Sequence, residues 1–540
     1  MSAALILRNA RIRTLTDTEV SAEADSVAVV DGVIVAIGPE AVVRAEWPQA
    51  HTVIDARGGT LTPGLIDGHA HPFHASTLAR GLDLAGVRDL ESLRAKLRAE
   101  ADRLRGTGAW VRAWNLDYAA FSGRALAGSA IEDAVHGMPA VVMLFDNHTA
   151  IVTRAALDGA GVTGAEPFAD AASIVVDAEG KPTGELREPS AYNRVIDHAP
   201  PLSPAEERAA ITNILAEMNR GGLTGAVMMD GTVETLDLFE ELDSTGEGLT
   251  MRLQSSVQHP QGLSEEQTLT NLAQRDRRGP RWRAGLVKLF HDGVIDTGTA
   301  WLYEADRYGD GLVPFWPVPS DYGLLVKRYA EAGFQIATHA IGDRAIGETI
   351  AAYVAAGVRS AAGPAHRIEH LETLADADLA RIAEAGITVS MQPLHMQWRA
   401  EDHSDAWADR LGPERSAKAW RAGDVLASGA LLALGSDWPV AQHDPRLGMA
   451  WARLRRAPGE PDAMVFEPEQ RLSGAATLAG YTTGAAAAMG QPGGGQVVVG
   501  APADLTIWAE DPVLTPADEL PGLPVLATIV GGRVVHLADE

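Results

Sequence analysis

An apolar run closes on two histidines one residue apart in Pro63-Gly64-Leu65-Ile66-Asp67-Gly68-His69-Ala70-His71. In a β-strand the side-chain period of two sends His69 and His71 to the same side, and Gly68 and Ala70 leave room beside them. Two imidazoles converging on one point suit a divalent cation. The competing reading is a pair of polar residues leaving a strand. Lys288, in Gly285-Leu286-Val287-Lys288-Leu289-Phe290, is a second feature: the chain holds only five lysines, and Lys96, Lys181, Lys327 and Lys418 lie in polar helices or a turn. An ammonium inside an apolar strand is costly unless it snorkels to water or finds a partner. It has donors and no lone pair, so as it stands it binds no metal. Neutralised by burial, the amine can capture CO₂ as a carbamate and present two anionic oxygens, which makes a bridging ligand.

Three further residues close apolar runs: His339, His370 and Asp437. A lone histidine at such a place is more often a satisfied polar cap. Together with His69, His71 and Lys288 they form a set that a closed ring of strands would bring to one point.

Such a ring is what the rest of the chain predicts. Eight candidate parallel strands are Thr60–His71, Thr224–Met229, Thr250–Val257, Ala284–Asp292, Phe334–His339, His366–His370, Thr388–Pro393 and Leu431–Asp437. Amphipathic helical segments such as Ser203–Arg220, Pro319–Ala332, Ala345–Ala356 and Leu374–Ala385 separate most of them. This alternation predicts an α/β chain with a (β/α)₈ TIM barrel, a fold that keeps its chemistry at the C-terminal ends of the strands. The distance between the first two strands requires an insertion at about 76–199, with strands of its own at Ala140–Asp146 and Ala172–Asp177. Both termini read as short β-runs punctuated by Asp31-Gly32, Gly58-Gly59 and Gly531-Gly532. We therefore expect a small β-sandwich made from residues 1–60 and 491–540, beside a barrel within 61–490.

Composition limits the function. The 540 residues carry 45 Lys+Arg against 72 Asp+Glu, a net charge of −27. A surface that acidic repels phosphate backbones and anionic lipid, so neither nucleic acid nor membrane is an expected partner. Cysteine is absent, which excludes disulfides, thiolate metal sites and cysteine nucleophiles and leaves imidazole and oxygen as metal ligands. The apolar run before Arg8 is too short for a signal-peptide core, and no stretch reaches the length of a membrane span. A cytoplasmic enzyme acting on a small molecule is expected, with a homo-oligomer left open.

The order His-x-His, Lys, His, His, Asp on strands one, four, five, six and eight resembles the binuclear amidohydrolase superfamily. More closely, the chain is similar to amidohydrolase family 3, the branch that includes N-substituted formamide deformylase. Val287–Gly293 (VKLFHDG), His339–Ile346 (HAIGDRAI), Arg367–His370 (RIEH), Ser390–Pro393 (SMQP), Gly435–Val440 (GSDWPV) and Ala503-Asp504-Leu505 carry the likeness with the His-x-His segment. The resemblance implies His69, His71 and Asp437 on a first metal, a carboxylated Lys288 as bridge, and His339 with His370 on a second. One or two divalent ions are expected, with zinc as the ion. Such an ion acidifies a bound water, and Asp437 would serve as general base in hydrolysing a non-peptide C–N bond, an amide or formamide. His148, in a segment similar to the family's insertion, and His395, after the seventh strand, are expected substrate contacts. Asp292, Arg344 and Glu369 are expected to orient ligands. Trp301, Trp398 and Trp438 follow strands four, seven and eight, and Trp110 and Trp114 lie in the insertion; aromatic rings there predict an apolar amide as substrate, with Trp301 in contact. Two alternatives stay open: a one-metal deaminase of a heterocycle, and a catalytically silent ligand-binding homologue. A Ser-His-Asp hydrolase fits poorly, because no Gly-x-Ser-x-Gly elbow follows a strand of the body.

Overall fold

The computed structural model describes residues 4–539 except 17–20, 22, 49, 74, 75, 77–79, 146–147, 169–171, 245–247, 362 and 492. Its chain divides into two compact units: residues 1–70, 212–437 and 442–540 form one, and residues 71–211 with 438–441 the other.

In the first unit eight strands run parallel in sequence order. They are β1 (Leu65–Ala70), β2 (Leu223–Met228), β3 (Arg252–Gln258), β4 (Trp282–Phe290), β5 (Gln335–Ala340), β6 (Arg367–His370), β7 (Thr388–Met391) and β8 (Leu432–Leu434). Amphipathic helices such as Val233–Ser244, Pro319–Glu331, Asp343–Ala356 and Asp376–Ala385 follow the strands and bury their apolar stripes, Tyr322, Val326 and Tyr329 in one case. The sheet closes where β1 meets the chain beyond β8. Asp437 donates its backbone N–H to the His69 carbonyl at 2.7 Å, and Asp67 accepts from the backbone N–H and the hydroxyl of Ser436 at 3.0 and 2.5 Å. Two glycines permit that seam. A Cβ on Gly68 would stand 2.7 Å from the Leu434 carbonyl oxygen, and one on Gly435 would stand 2.5 Å from the His69 nitrogen. The architecture is the (β/α)₈ barrel expected from the alternation of strands and helices.

The first predicted strand, Thr60–His71, is two strands in the structure. Thr60–Pro63 pairs with Leu505–Trp508 of the C-terminal segment, whereas β1 belongs to the barrel. The break falls at Gly64, where any side chain would collide with Thr224 at 2.2 Å. Around it the termini build two sheets, one ordered Val33–Gly38, Ser26–Val30, Ala4–Arg8 and Thr52–Asp55. The other is ordered Arg11–Ile12, Thr60–Pro63, Leu505–Trp508, Val525–Val530 and Arg533–Leu537. Leu5, Leu7, Val27 and Val29 from one sheet and Leu61, Leu505, Ile507 and Ile529 from the other share one buried cluster. That is a β-sandwich drawn from both ends of the chain.

The second unit holds a six-stranded sheet where sequence periodicity predicts only two strands. Polar residues interrupt its short strands, as Arg112 and Asn115 do in Val111–Leu116, so they read as loop. Alternate residues of Ala140–Leu144 face opposite ways. Ala140, Val142 and Leu144 pack with the helix Leu90–Leu104, and Val141 and Met143 pack with the helix Pro189–Ile196. Asp146, the expected end of that strand, lies outside the described residues. The unit is also wider than 76–199, because residues 71–75 and 200–211 cluster with it and the chain returns at Trp438–Ala441. Among the described residues no helix is long and apolar enough to cross a membrane.

Candidate metal centre

The barrel interior is layered. Ile66, Val227, Leu286, Ala337 and Ala433 make an apolar floor with Ala485, Ala488 and Met489. Above it, strand register sets two polar rows. Lys288 lies beside Ala337, which lies beside Arg367; one step on, Phe290, His339, Glu369 and Ser390 are successive neighbours. Parallel neighbours share a face, so the C-terminal ends of four strands bring polar side chains inward together, the charged ones from β4 and β6. Lys288, Arg367, Glu369, His370 and His69 are all under 5 % exposed.

Counting by two along β6 puts Arg367 and Glu369 inside and would send His370 outward. The backbone corrects this: His370 has φ +77°, and Asp437 has φ +60°. Left-handed backbone at a non-glycine residue is costly and survives where surrounding structure enforces it. Here it turns two candidate ligands toward the others.

Each of three histidines has one ring nitrogen engaged away from the centre. His69 Nδ1 lies 2.7 Å from Glu369 Oε2, His370 Nδ1 lies 2.9 Å from Gln392 Oε1, and His339 Nε2 lies 2.9 Å from the Gly293 carbonyl oxygen. Each of these acceptors receives an N–H hydrogen bond from the ring, so the lone pair belongs to Nε2 of His69, Nε2 of His370 and Nδ1 of His339. That is the donor set a borderline-soft divalent cation requires: neutral imidazoles of fixed tautomer beside a carboxylate. The rings of His370 and His339 are 4.5 Å apart and those of His69 and His370 4.8 Å. Asp437 Oδ1 is 3.2 Å from His69 Nε2; its Oδ2 is 3.6 Å from His395 Nε2 and 3.8 Å from His370 Nδ1, the nitrogen that also reaches Gln392. His370, His395 and Asp437 offer ligand atoms within 4.8 Å of one another. His71 follows β1 by one residue and is the first residue of the second unit, where its backbone N–H donates to the Trp438 carbonyl at 2.6 Å.

Burial pushes the Lys288 ammonium down to about 8, against the opposing pull of Glu369 and Asp437. Its Nζ lies 5.0 Å from the Phe290 ring centroid. Burial alone would raise the Glu369 carboxyl, but Arg367 and His69 hold it well below the ordinary range. Burial drives Asp292 up to about 8, although its oxygens accept the backbone N–H groups of Ile341, Gly342 and Trp301 at 3.0, 2.7 and 3.0 Å. Those bonds pin the loop after β5 to the loop after β4, and with them His339, whose Nε2 is 3.7 Å from Asp292 Oδ1.

The structure places the remaining expected residues as follows. His395 sits in the 3₁₀ turn Pro393–Trp398 after β7. Its ring is 6.1 Å from His370 and nearly parallel to it, with Glu372 3.9 Å behind its Nδ1. Trp301 is buried, with its ring against His291 at 5.3 Å and the Arg344 guanidinium 4.7 Å over it. His148 belongs to the second unit. There its Nδ1 lies 2.8 Å from Glu188 Oε2, and its carbonyl accepts the Glu188 N–H at 2.7 Å. Trp438 also lies in that unit, edge-on to Trp114 at 5.2 Å. Three orienting residues escaped sequence reasoning: Arg367, Gln392 and Asp67, which accepts the His69 N–H at 3.0 Å. Arg367 had a usable signal, an opposite charge two residues before Glu369 and so on the same face of the strand.

The chain is 27% identical over 532 residues to YtcJ of Bacillus subtilis, covering 95% of this chain and 96% of that one. It is 27% identical over 560 residues to the N-substituted formamide deformylase of Arthrobacter pascens, covering 98% and 97%. Among solved structures, a metal-dependent hydrolase from Pyrococcus horikoshii superposes with a TM-score of 0.75 at 22% identity, over 95% of this chain and 99% of that one; at that identity the likeness speaks for the fold. Residues 52–536 match the amidohydrolase family in its third branch, and the chain belongs to that family.

Proposed function

We propose that this chain is a metal-dependent hydrolase of a non-peptide C–N bond, with an amide or formamide of apolar character as substrate. One observation carries the reading. His69, His339 and His370 each have one nitrogen committed to an acceptor outside the centre, and the Asp437 carboxylate lies beside two of them. The deformylase of Arthrobacter pascens, similar over nearly its whole length, acts on N-substituted formamides, which favours the same bond class here.

His69, His71 and Asp437 would hold one divalent ion, zinc by its preference for imidazole and carboxylate; His339 and His370 would hold a second. When bound, such an ion lowers the pKa of a ligated water toward 7 and polarises a carbonyl. Asp437 takes the proton as the water oxygen attacks the carbonyl carbon, then delivers it to the departing nitrogen as the C–N bond breaks. An amide anion is a poor leaving group without that proton. Lys288 would serve as a further ligand in carbamate form: its neutral Nζ would bond to the carbon of CO₂ and shed a proton, supplying an anion where an ammonium would repel the cations. His395, 3.6 Å from Asp437, and His148 contact the substrate. Trp301, with the Arg344 guanidinium 4.7 Å over its ring, is the third proposed substrate contact.

A screen of N-formyl and N-acyl amines, with products identified, tests the bond class. The expected result is release of an intact amine and a carboxylic acid, with benzyl-type amides turned over better than charged N-acetyl amino acids. Ammonia released from heterocycles, with no amide cleaved, would replace this reading by the deaminase.

A further inference from the structure

Arg367 is fully buried inside the barrel, and its guanidinium joins three strands. Its Nε donates to Glu369 Oε1 at 2.5 Å. Its Nη2 donates to Glu369 Oε2 at 3.0 Å, to the Gly68 carbonyl at 2.6 Å and to Ser390 Oγ at 2.9 Å. Glu369 Oε2 is in turn the partner of His69 Nδ1 at 2.7 Å, and Gly68 is the residue before His69. One side chain therefore reaches His69 from both ends: through a carboxylate to its ring, and through a carbonyl to its backbone.

We infer that Arg367 is a positioning residue for the metal centre, one that fixes the direction of the His69 Nε2 lone pair. A guanidinium suits the task because its planar fork spans a carboxylate bidentately and keeps a further N–H for a carbonyl. A lysine has no such fork and can satisfy one of the two arms. The fully desolvated pair contributes little net stability, since the cost of drying two charges offsets their attraction. Its retention inside the barrel makes sense if it serves the ligand rather than the fold. Gly68 and Glu369 lie on strands that are not neighbours in the sheet order, so no backbone ladder could hold them in common.

This inference rests on the metal reading above, and its test keeps the two apart. Zn²⁺ affinity of the full-length protein is measured by competition with a chromogenic chelator, alongside Tm, for wild type, Arg367→Met, Arg367→Lys and the double variant Arg367→Met/Glu369→Gln. Wild type that binds no Zn²⁺ would overturn the metal reading itself. The inference predicts that Arg367→Met weakens Zn²⁺ binding about 10–100-fold, the usual effect of losing a ligand's orienting partner, and that Arg367→Lys recovers part of it. Arg367→Met also strands the Glu369 charge, which lowers stability; the double variant removes that charge, so its Tm should rise above that of Arg367→Met while its Zn²⁺ affinity stays low. If the double variant regained wild-type affinity together with stability, or if a folded Arg367→Met bound Zn²⁺ within about twofold of wild type, Arg367 would be a charge counterweight and the inference would fall.

Discussion

The interface between the two terminal sheets and the C-terminal end of the barrel bury their side chains equally well and fill the space with opposite chemistry. Between the sheets lie Leu5, Leu7, Val27, Ile34, Leu61, Leu505, Ile507 and Ile529. On the opposite face of the C-terminal strands the buried polar side chains include neutral hydroxyls bonded to carbonyls, as Thr528 is to Asn219 and Thr506 to Gly222, both at 2.7 Å. At the barrel end, Lys288, Arg367, Glu369, His69, His370 and Asp437 are as dry, and His370 and Asp437 hold left-handed backbone as well. Removing apolar groups from water stabilises the first region. Drying charges and twisting backbone costs free energy in the second, with no stability in return. Burial serves cohesion in one place and control of protonation and direction in the other, so substitutions in the two regions should separate activity from stability.

The largest separation should come from Asp437→Asn. It keeps the shape and removes the base, so kcat should fall about 10²–10⁴-fold while Tm stays within a few degrees; steady-state kinetics beside calorimetry measures both. Lys288→Arg should follow, with metal content and rate lost together, because a guanidinium stays protonated and cannot be carboxylated. Lys288→Ala should recover part of both when short carboxylic acids are added, which metal analysis and rate assays would detect. If Lys288→Arg kept its metal and near-native rate, the bridge would be wrong. Leu505→Ala should show the reverse pattern: about 2–5 kcal/mol of stability lost by denaturant titration, with kcat/KM of the remaining folded protein unchanged. The smallest effect is expected from Thr528→Val, about 1–3 kcal/mol for leaving the Asn219 carbonyl without that donor, again with no change in rate.

The barrel was legible from the alternation of apolar runs and amphipathic helices, because parallel strands buried on both faces read as short continuous apolar segments. Where the chain turns was less legible. Thr60–His71 reads as one run, and only the close approach of Thr224 to Gly64 shows why it must break. The ends of the runs could be named as candidate ligand positions from residue type, but their aim could not. Period-two counting puts Glu369 and His370 on opposite faces, and the positive φ of His370 that reconciles them leaves no trace in residue type. The Arg367 clamp was hidden for a related reason. Its partners Gly68, Glu369 and Ser390 come from three strands; register pairs Glu369 with Ser390, and Gly68 is reached only across the barrel interior. The second unit was underread because its strands are short and carry polar residues, which dilutes the apolar signal.

The ring of histidines, lysine and aspartate is proposed as a metal centre that hydrolyses a C–N bond. Stripping the protein with a chelator, dialysing it, and restoring Zn²⁺ in bicarbonate buffer while following cleavage of an N-formyl benzylamine tests that claim most directly. The account predicts an inactive apo-protein that keeps its fold, and activity that returns in proportion to bound metal up to one or two ions per chain. A metal-free protein that cleaved the substrate at an undiminished rate would contradict it.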